Sequence, residues 1–255
     1  MNRVNEILSK FAPISLNEMD SVALMNRVDT KFLASKPTVE TVLEELSSSY
    51  RILEIKGNRL FQYHNVYFDT EKRDFLYEHL RGKPNRVKVR TRQYVGSDKQ
   101  FFEVKEKTNK GNTIKRRIPT GDRLDTIAGN QADFLSAETA IDSNSLMAQI
   151  KVDFHRTTLV NLETKERLTF DFQLSFASEE GENQTDDFVI IEHKRAAHNH
   201  TKTPALAALK RNNIYPTSLS KYCLGMILID KTDKYNRYKP KLLKLNKIST
   251  HGNIW

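Results

Sequence analysis

Residues 86–92 read "RVKVRTR", and the fold turns on how that stretch is interpreted. Successive side chains of a β-strand project to opposite faces, so Arg86, Lys88, Arg90 and Arg92 share one face and Val87, Val89 and Thr91 the other. Four cations on one face repel one another unless water or an anion lies against them. The alternation recurs. In "FFEVKEK", Phe101, Glu103, Lys105 and Lys107 stand opposite Phe102, Val104 and Glu106, and in "TIKRRIP", Lys115 and Arg117 stand opposite Ile114, Arg116 and Ile118. In "ERLTFDFQL", Arg167, Thr169 and Asp171 oppose Leu168, Phe170 and Phe172, and in "FVIIEHKR", Ile190, Glu192 and Lys194 share a face. An antiparallel sheet with one wet side produces this pattern. The dominance of Arg and Lys over Thr, Ser and Gln weakens that reading, and if the sheet closes, the charged face becomes a basic lumen. The expected fold class is α+β, about eight strands with peripheral helices.

The remaining segments fit that frame. "NRVDTKFL" (26–33) reads as a first strand, and "KPTVETVLEELSSS" carries Pro37 early and Val39, Val42, Leu43 and Leu46 at helical spacing. "YRILEI", "LFQYHNVYFDT" and "AQIKVDFHRTTLVNL" read as further strands, with helices expected at 74–79, 122–136, 204–211 and after "PTSLS". "ASEEGENQTDD" reads as an acidic loop. One domain over 1–230 followed by a basic tail at 231–255 is the expected organisation, with no internal repeat.

Charge narrows the function. The chain carries +9 overall, yet 86–117 holds eleven basic residues against Asp98, Glu103 and Glu106, and 231–247 holds seven against Asp233. Positive charge is therefore concentrated, which implies a polyanionic partner. The single cysteine, Cys223, excludes an internal disulfide or a multi-cysteine metal knuckle. "CLGMILI" is too short to span a bilayer, which takes roughly 20 residues, and the first 20 residues contain no secretory signal. A cytoplasmic location is expected, at the inner face of a membrane if a membrane partner receives a product.

A lumen lined by Arg and Lys with a few carboxylates suits phosphoryl transfer, in which cations neutralise phosphate oxygens and a hard divalent ion bridges them. Glu103, Asp171 and Glu192 are the candidate metal ligands, each also readable as a cross-strand ion-pair partner.

"RVDTKFL", "YFDT", "RVKVRTRQYVGS", "FFEVKEKT", "IKRRIP", "FHRTTL", "ERLTFDFQLSF", "IIEHK" and "SLSKYCLG" occur in the order found in the catalytic domain of the vacuolar transporter chaperone (VTC) family. The chain resembles that family over about 26–230, within the CYTH-like triphosphate tunnel metalloenzyme superfamily. The resemblance implies an eight-stranded antiparallel β-barrel, the triphosphate tunnel, with peripheral helices, and a polyphosphate polymerase that moves the γ-phosphoryl group of ATP onto a growing chain and requires Mn²⁺ or Mg²⁺. Carried over, the catalytic cations are Lys31, Arg90, Arg92, Lys105, Lys115, Arg117, Arg156, Arg167 and Lys221, and the metal ligand is Glu192. Arg86, Lys88, Lys107 and Lys194, with Ser218 and Ser220 ahead of the last helix, are further substrate-binding candidates. The E-x-E-x-K signature of many tunnel triphosphatases is absent from the first strand, where Arg27, Asp29 and Lys31 stand instead, and this favours the polymerase branch.

Several other readings remain. Water as acceptor would give an inorganic tripolyphosphatase or nucleoside triphosphatase. A nucleic-acid or polyphosphate binder without catalysis would use Phe61, Tyr63 and Phe101 as stacking platforms, although no specific nucleic-acid motif is present. His193, His198 and His200 read as loop histidines, Asp69 or Thr70 as a helix cap, and Ser218 or Thr217 as the cap of the last helix.

Overall fold

The computed structural model describes residues 1–19, 27–121, 124–197, 202–230 and 235–249. The strands are β1 (Ala12–Ile14), β2 (Arg27–Ser35), β3 (Arg51–Leu53), β4 (Phe61–Thr70), β5 (Arg86–Tyr94), β6 (Gln100–Lys107), β7 (Thr113–Pro119), β8 (Leu146–Asn161), β9 (Glu166–Ser178), β10 (Gly181–Thr185) and β11 (Phe188–Ala196). The helices are α1 (Asn2–Ser9), α2 (Leu16–Met19), α3 (Lys36–Leu46), α4 (Asp74–Arg81), α5 (Asn130–Glu138), α6 (Pro204–Arg211), α7 (Lys221–Asp230) and α8 (Lys239–Ile248).

Eight strands form the main path β2-β11-β9-β8-β4-β5-β6-β7, every neighbouring pair antiparallel. Curvature follows from electrostatics across it. Lys105 on β6 feels Lys31 on β2, six strand spacings away, which a flat sheet would separate by about 29 Å. The sheet is curled, and its charged side is the concave one.

Helices cover the other side. Phe32, Leu168, Phe170, Phe172 and Ile191 pack under Val4 and Ile7 of α1, Val39, Val42 and Leu43 of α3 and Leu209 of α6. Ser35 caps α3 by accepting the Thr38 N–H at 3.4 Å, and Pro37 sits in its first turn. Val66, Phe68, Val89, Phe102 and Val104 pack with Leu135 of α5. Both sets are the apolar faces expected from alternation.

A bulge breaks that alternation in β9. Leu168, Phe170, Phe172, Leu174 and Phe176 are all even-numbered, so an unbroken strand would put them on one face. Gln173 takes φ +49°, the β8–β9 register shifts there, and Leu174 and Phe176 turn into the concave side. They join Leu33, Ile150, Val152, Phe188 and Ile190 beneath α7. Gly225 allows the close approach of helix to sheet, since a Cβ there would clash with Phe176 and lie 2.6 Å from Ile150 Cδ1. Protein therefore fills one half of the concave face, and charged side chains line the other.

Three local expectations change. The acidic segment contains β10, an antiparallel hairpin partner of β9 entered through Gly181. The cap of α7 is Ser220, whose Oγ accepts the Cys223 N–H at 3.4 Å, and Ser218 is exposed two residues too early. Thr217 instead donates its N–H to Lys31 O at 2.7 Å, extending the β2 edge. Within the basic 231–255 segment, Tyr238, Leu242 and Leu245 are buried with α7, so α8 is a docked element of the core.

Candidate functional site

The concave face is built from the register of the strands. Lys31 of β2 lies opposite Glu192 of β11, Asp29 opposite Lys194, and Lys194 opposite Arg167 of β9. Asp171 lies opposite Arg156 of β8, Arg90 and Arg92 opposite Tyr67 and Asn65 of β4, and Arg90 opposite Glu103 of β6. Lys88, Lys105 and Lys115 form one row across β5, β6 and β7, and Arg117 lies opposite Glu103. Lys221 enters from the first turn of α7.

Three carboxylates organise these cations, each gripping two. Glu103 accepts Arg90 Nε at 2.8 Å and Nη2 at 2.6 Å, and pairs with Lys115 through its other oxygen. Asp171 accepts Arg156 Nε at 2.5 Å and Nη2 at 2.8 Å, and pairs with Lys221. Glu192 accepts Lys31 at 2.5 Å and Lys194 at 2.5 Å. Burial works against ionising each acid, but the surrounding cations outweigh it and hold all three carboxyls well below the usual carboxylate range.

The cations bear the opposite strain. Burial pushes the Lys88 ammonium down to about 8, aided by Lys105 and Lys31, and burial brings Lys115 down to about 8 despite Glu103. The Tyr67 phenol, which burial alone would raise, is drawn down to about 8 by Arg90, Lys221, Arg92 and Lys88. Crowded cations that depress one another's protonation are poised for an anion that would relieve them.

Residues 26–229 match the VTC domain family. The chain belongs to that family. Among curated proteins none matches it in sequence. Among solved structures, the VTC domain is similar to a candidate adenylyl cyclase from Hippeastrum with a dominant triphosphatase activity, at 15% identity and TM-score 0.49, covering 78% of this chain and 94% of that one. It is similar to a candidate adenylate cyclase from Bacillus halodurans at 15% identity and TM-score 0.49, covering 77% and 94%. A Pyrococcus horikoshii protein gives 12% identity and TM-score 0.44, covering 80% and 100%.

Most of the residues singled out from the sequence share the concave face of this VTC domain, but with different partners. Glu103 and Asp171, which the sequence leaves readable as metal ligands or as ion-pair partners, are each 1% exposed and held by two cations. No three His, Cys, Asp or Glu side chains converge as a metal cluster among the described residues. Glu192, 14% exposed, keeps more access, with Asp29 diagonal to it across the β2–β11 ladder.

Arg86 and Lys107 lie at the far end of their ladder, beside His79 of α4. Arg117 covers the Phe101 ring at 4.4 Å. His193 faces the other side, buried against Glu166, which also accepts the Tyr50 hydroxyl; His198 and His200 fall outside the described residues. Asp69 ties the start of α4, accepting Phe75 N–H at 2.9 Å and Leu76 N–H at 2.8 Å, and also accepts the Tyr222 hydroxyl at 2.6 Å.

Two residues on the face were missed. Asn65 and Tyr67 in "FQYHNVYFDT" alternate with apolar neighbours on one side of β4, and that period-2 spacing beside Tyr63 is the signal that could have found them.

Proposed function

We propose that this VTC domain is a polyphosphate polymerase that transfers the γ-phosphoryl group of ATP to a growing phosphate chain. The carrying observation is the charge surplus of one concave face, where eleven cations from β2, β5, β6, β7, β8, β9, β11 and α7 face four carboxylates. Such a surplus suits a linear run of phosphates better than a single ion. Arg90, Arg92, Lys115, Arg117 and Lys221 would hold the triphosphate, while Lys31, Lys194 and Arg167 would receive the acceptor chain. Two hydrogen bonds from each of Arg90 and Arg156, to one oxygen of Glu103 and to both oxygens of Asp171, set their guanidinium planes before substrate arrives, so little reorganisation accompanies reaction.

Divalent ions bound through nucleotide phosphates need only one or two protein carboxylates, and Glu192 with Asp29 would meet that demand on exchanging their present partners, Lys31 and Lys194 on Glu192 and Arg27 on Asp29. Mn²⁺ or Mg²⁺ held by these carboxylates would supply positive charge against the phosphoryl groups. Attack by the terminal oxygen of the acceptor on the γ-phosphorus breaks the bond to the β-phosphate and releases ADP, with the developing charge held by the arginines. The intact protein incubated with ATP and Mn²⁺ tests this, with products resolved by chain length and free phosphate measured separately. Long phosphate chains with ADP support the reading; free phosphate alone overturns it in favour of hydrolysis.

Hydrolysis of tripolyphosphate or a nucleoside triphosphate is the second reading, favoured by the α7 and α8 side chains that fill one half of the concave face. A filled end restricts where a growing chain could leave.

A further inference from the structure

The arginines of the concave face are held in two different ways. Arg90 and Arg156 each lean on a buried carboxylate, which fixes them and cancels much of their charge. Arg92 is as deeply placed, 9% exposed, yet no carboxylate lies in ion-pair contact with it among the described residues. Its Nε donates to Asn65 Oδ1 at 2.9 Å, and its guanidinium carbon lies 5.4 Å from the centre of the Tyr63 ring. Asn65 is itself 1% exposed, and its Nδ2 donates to Val152 O at 2.8 Å, which fixes the direction of its carbonyl oxygen. An amide and a ring face orient a guanidinium without neutralising it.

We propose that Asn65 is a positioning residue that holds Arg92 toward the substrate with no carboxylate in direct contact, so that more of its positive charge is left for a phosphate group. This inference rests on the proposed phosphate-binding role of the face and deepens it by naming a buried arginine that, among the described residues, is held by an amide where Arg90 and Arg156 are held by carboxylates. Aspartate would fit the same space, and would turn Arg92 into another Arg90. The choice of amide over carboxylate therefore sets the net charge offered to the anion. Burial most of all, then Arg90 and Arg156, disfavour the charge of Arg92, and Glu103 offsets them in part. An incoming phosphate would relieve that repulsion.

The test is calorimetric titration of tripolyphosphate into the wild type, Asn65→Ala and Asn65→Asp at several salt concentrations, with thermal melts as controls for folding. A purely structural Asn65 predicts that both variants lose affinity only in step with their loss of thermal stability, since either one gives up the bond to Val152 O, and that the salt dependence is unchanged. The proposal predicts losses beyond the shift in melting temperature: a fall of roughly threefold in affinity for Ala and about tenfold or more for Asp, because a buried carboxylate withdraws the cation from the ligand. It also predicts a shallower salt dependence for Asp, since fewer ions are displaced on binding. Equal or milder loss with Asp, at unchanged salt dependence, overturns it. If Asn65→Asp fails to fold, Asn65→Ala is compared in the wild-type and Arg92→Ala backgrounds. Its effect must vanish in the second background, and an undiminished effect overturns the proposal. Failure of the wild type to bind tripolyphosphate would sink the phosphate-binding reading itself, an outcome distinct from any ranking of the variants.

Discussion

Two halves of one concave surface, made by the same strands, carry opposite contents. Along β2, Leu33 gives way to Lys31 and Asp29; along β11, Ile190 gives way to Glu192 and Lys194; along β8, Ile150 and Val152 give way to Arg156. The apolar half is occupied by α7 and by Tyr238, Leu242 and Leu245. The charged half is occupied by ion pairs with cations to spare. Strand geometry alone sets neither content. What each half holds is decided by which residue type occupies the inward register at each step, and the Gln173 bulge resets that register where the change occurs.

If the charged half is the working half, Arg90→Ala should have the largest effect. It removes a guanidinium fixed by Glu103 and by the Tyr67 hydroxyl at 3.0 Å, and should lower kcat/KM by about 10²–10³-fold with the fold retained. Normal activity in a folded Arg90→Ala protein would break the contrast. The apolar half should answer in stability instead. Leu242→Ala, at a fully buried site, should cost about 2–4 kcal/mol in denaturant unfolding. A cost below about 0.5 kcal/mol would return α8 to the status of a solvated tail.

The third prediction separates the halves by pH. Lys88 and Lys115 carry folded values of about 8, below the ordinary value for lysine. Anion affinity should fall as pH rises through about 8, because these cations are lost. Between about 8 and 10.4 the unfolded chain binds more protons at these two positions than the folded one does, so their contribution to anion-free stability rises with pH. Tripolyphosphate titrations and melts across pH 7–10 should therefore move in opposite directions; a parallel decline would contradict the assigned lysines. The smallest effect concerns the helix that joins the halves. Ser220→Ala should cost about 1 kcal/mol through loss of the α7 cap, and Ser218→Ala almost nothing, in paired unfolding measurements.

Much of this was readable from alternation. The facing of Arg90 and Arg92 against Val89 and Thr91, and of Glu103 and Lys105 against Phe102 and Val104, follows from the period of two and is present in the structure. Alternation could not show the Gln173 bulge, because an unbroken even-numbered apolar series looks like one face. Nor could it show how the acids are used: a Glu among lysines has the same sequence signature whether it binds a metal or pairs with Arg90 and Lys115. The period of two places Asn65 and Tyr67 on one face of β4, but what a strand amide or phenol does there depends on what stands across the ladder. In "KPKLLKLNK", lysines dominate the composition while Leu242 and Leu245, three apart on one helical face, determine the packing.

The central claim, that a phosphate chain occupies the charged half, is tested most directly by protection mapping. The protein would be treated with a lysine-acylating reagent at pH 8, with and without tripolyphosphate, and modification read at each lysine by mass spectrometry. The account predicts that tripolyphosphate shields Lys31, Lys88, Lys105 and Lys115 while exposed Lys56, Lys72 and Lys165 react unchanged. Uniform protection across all of these, or none at the four on the concave face, would contradict it.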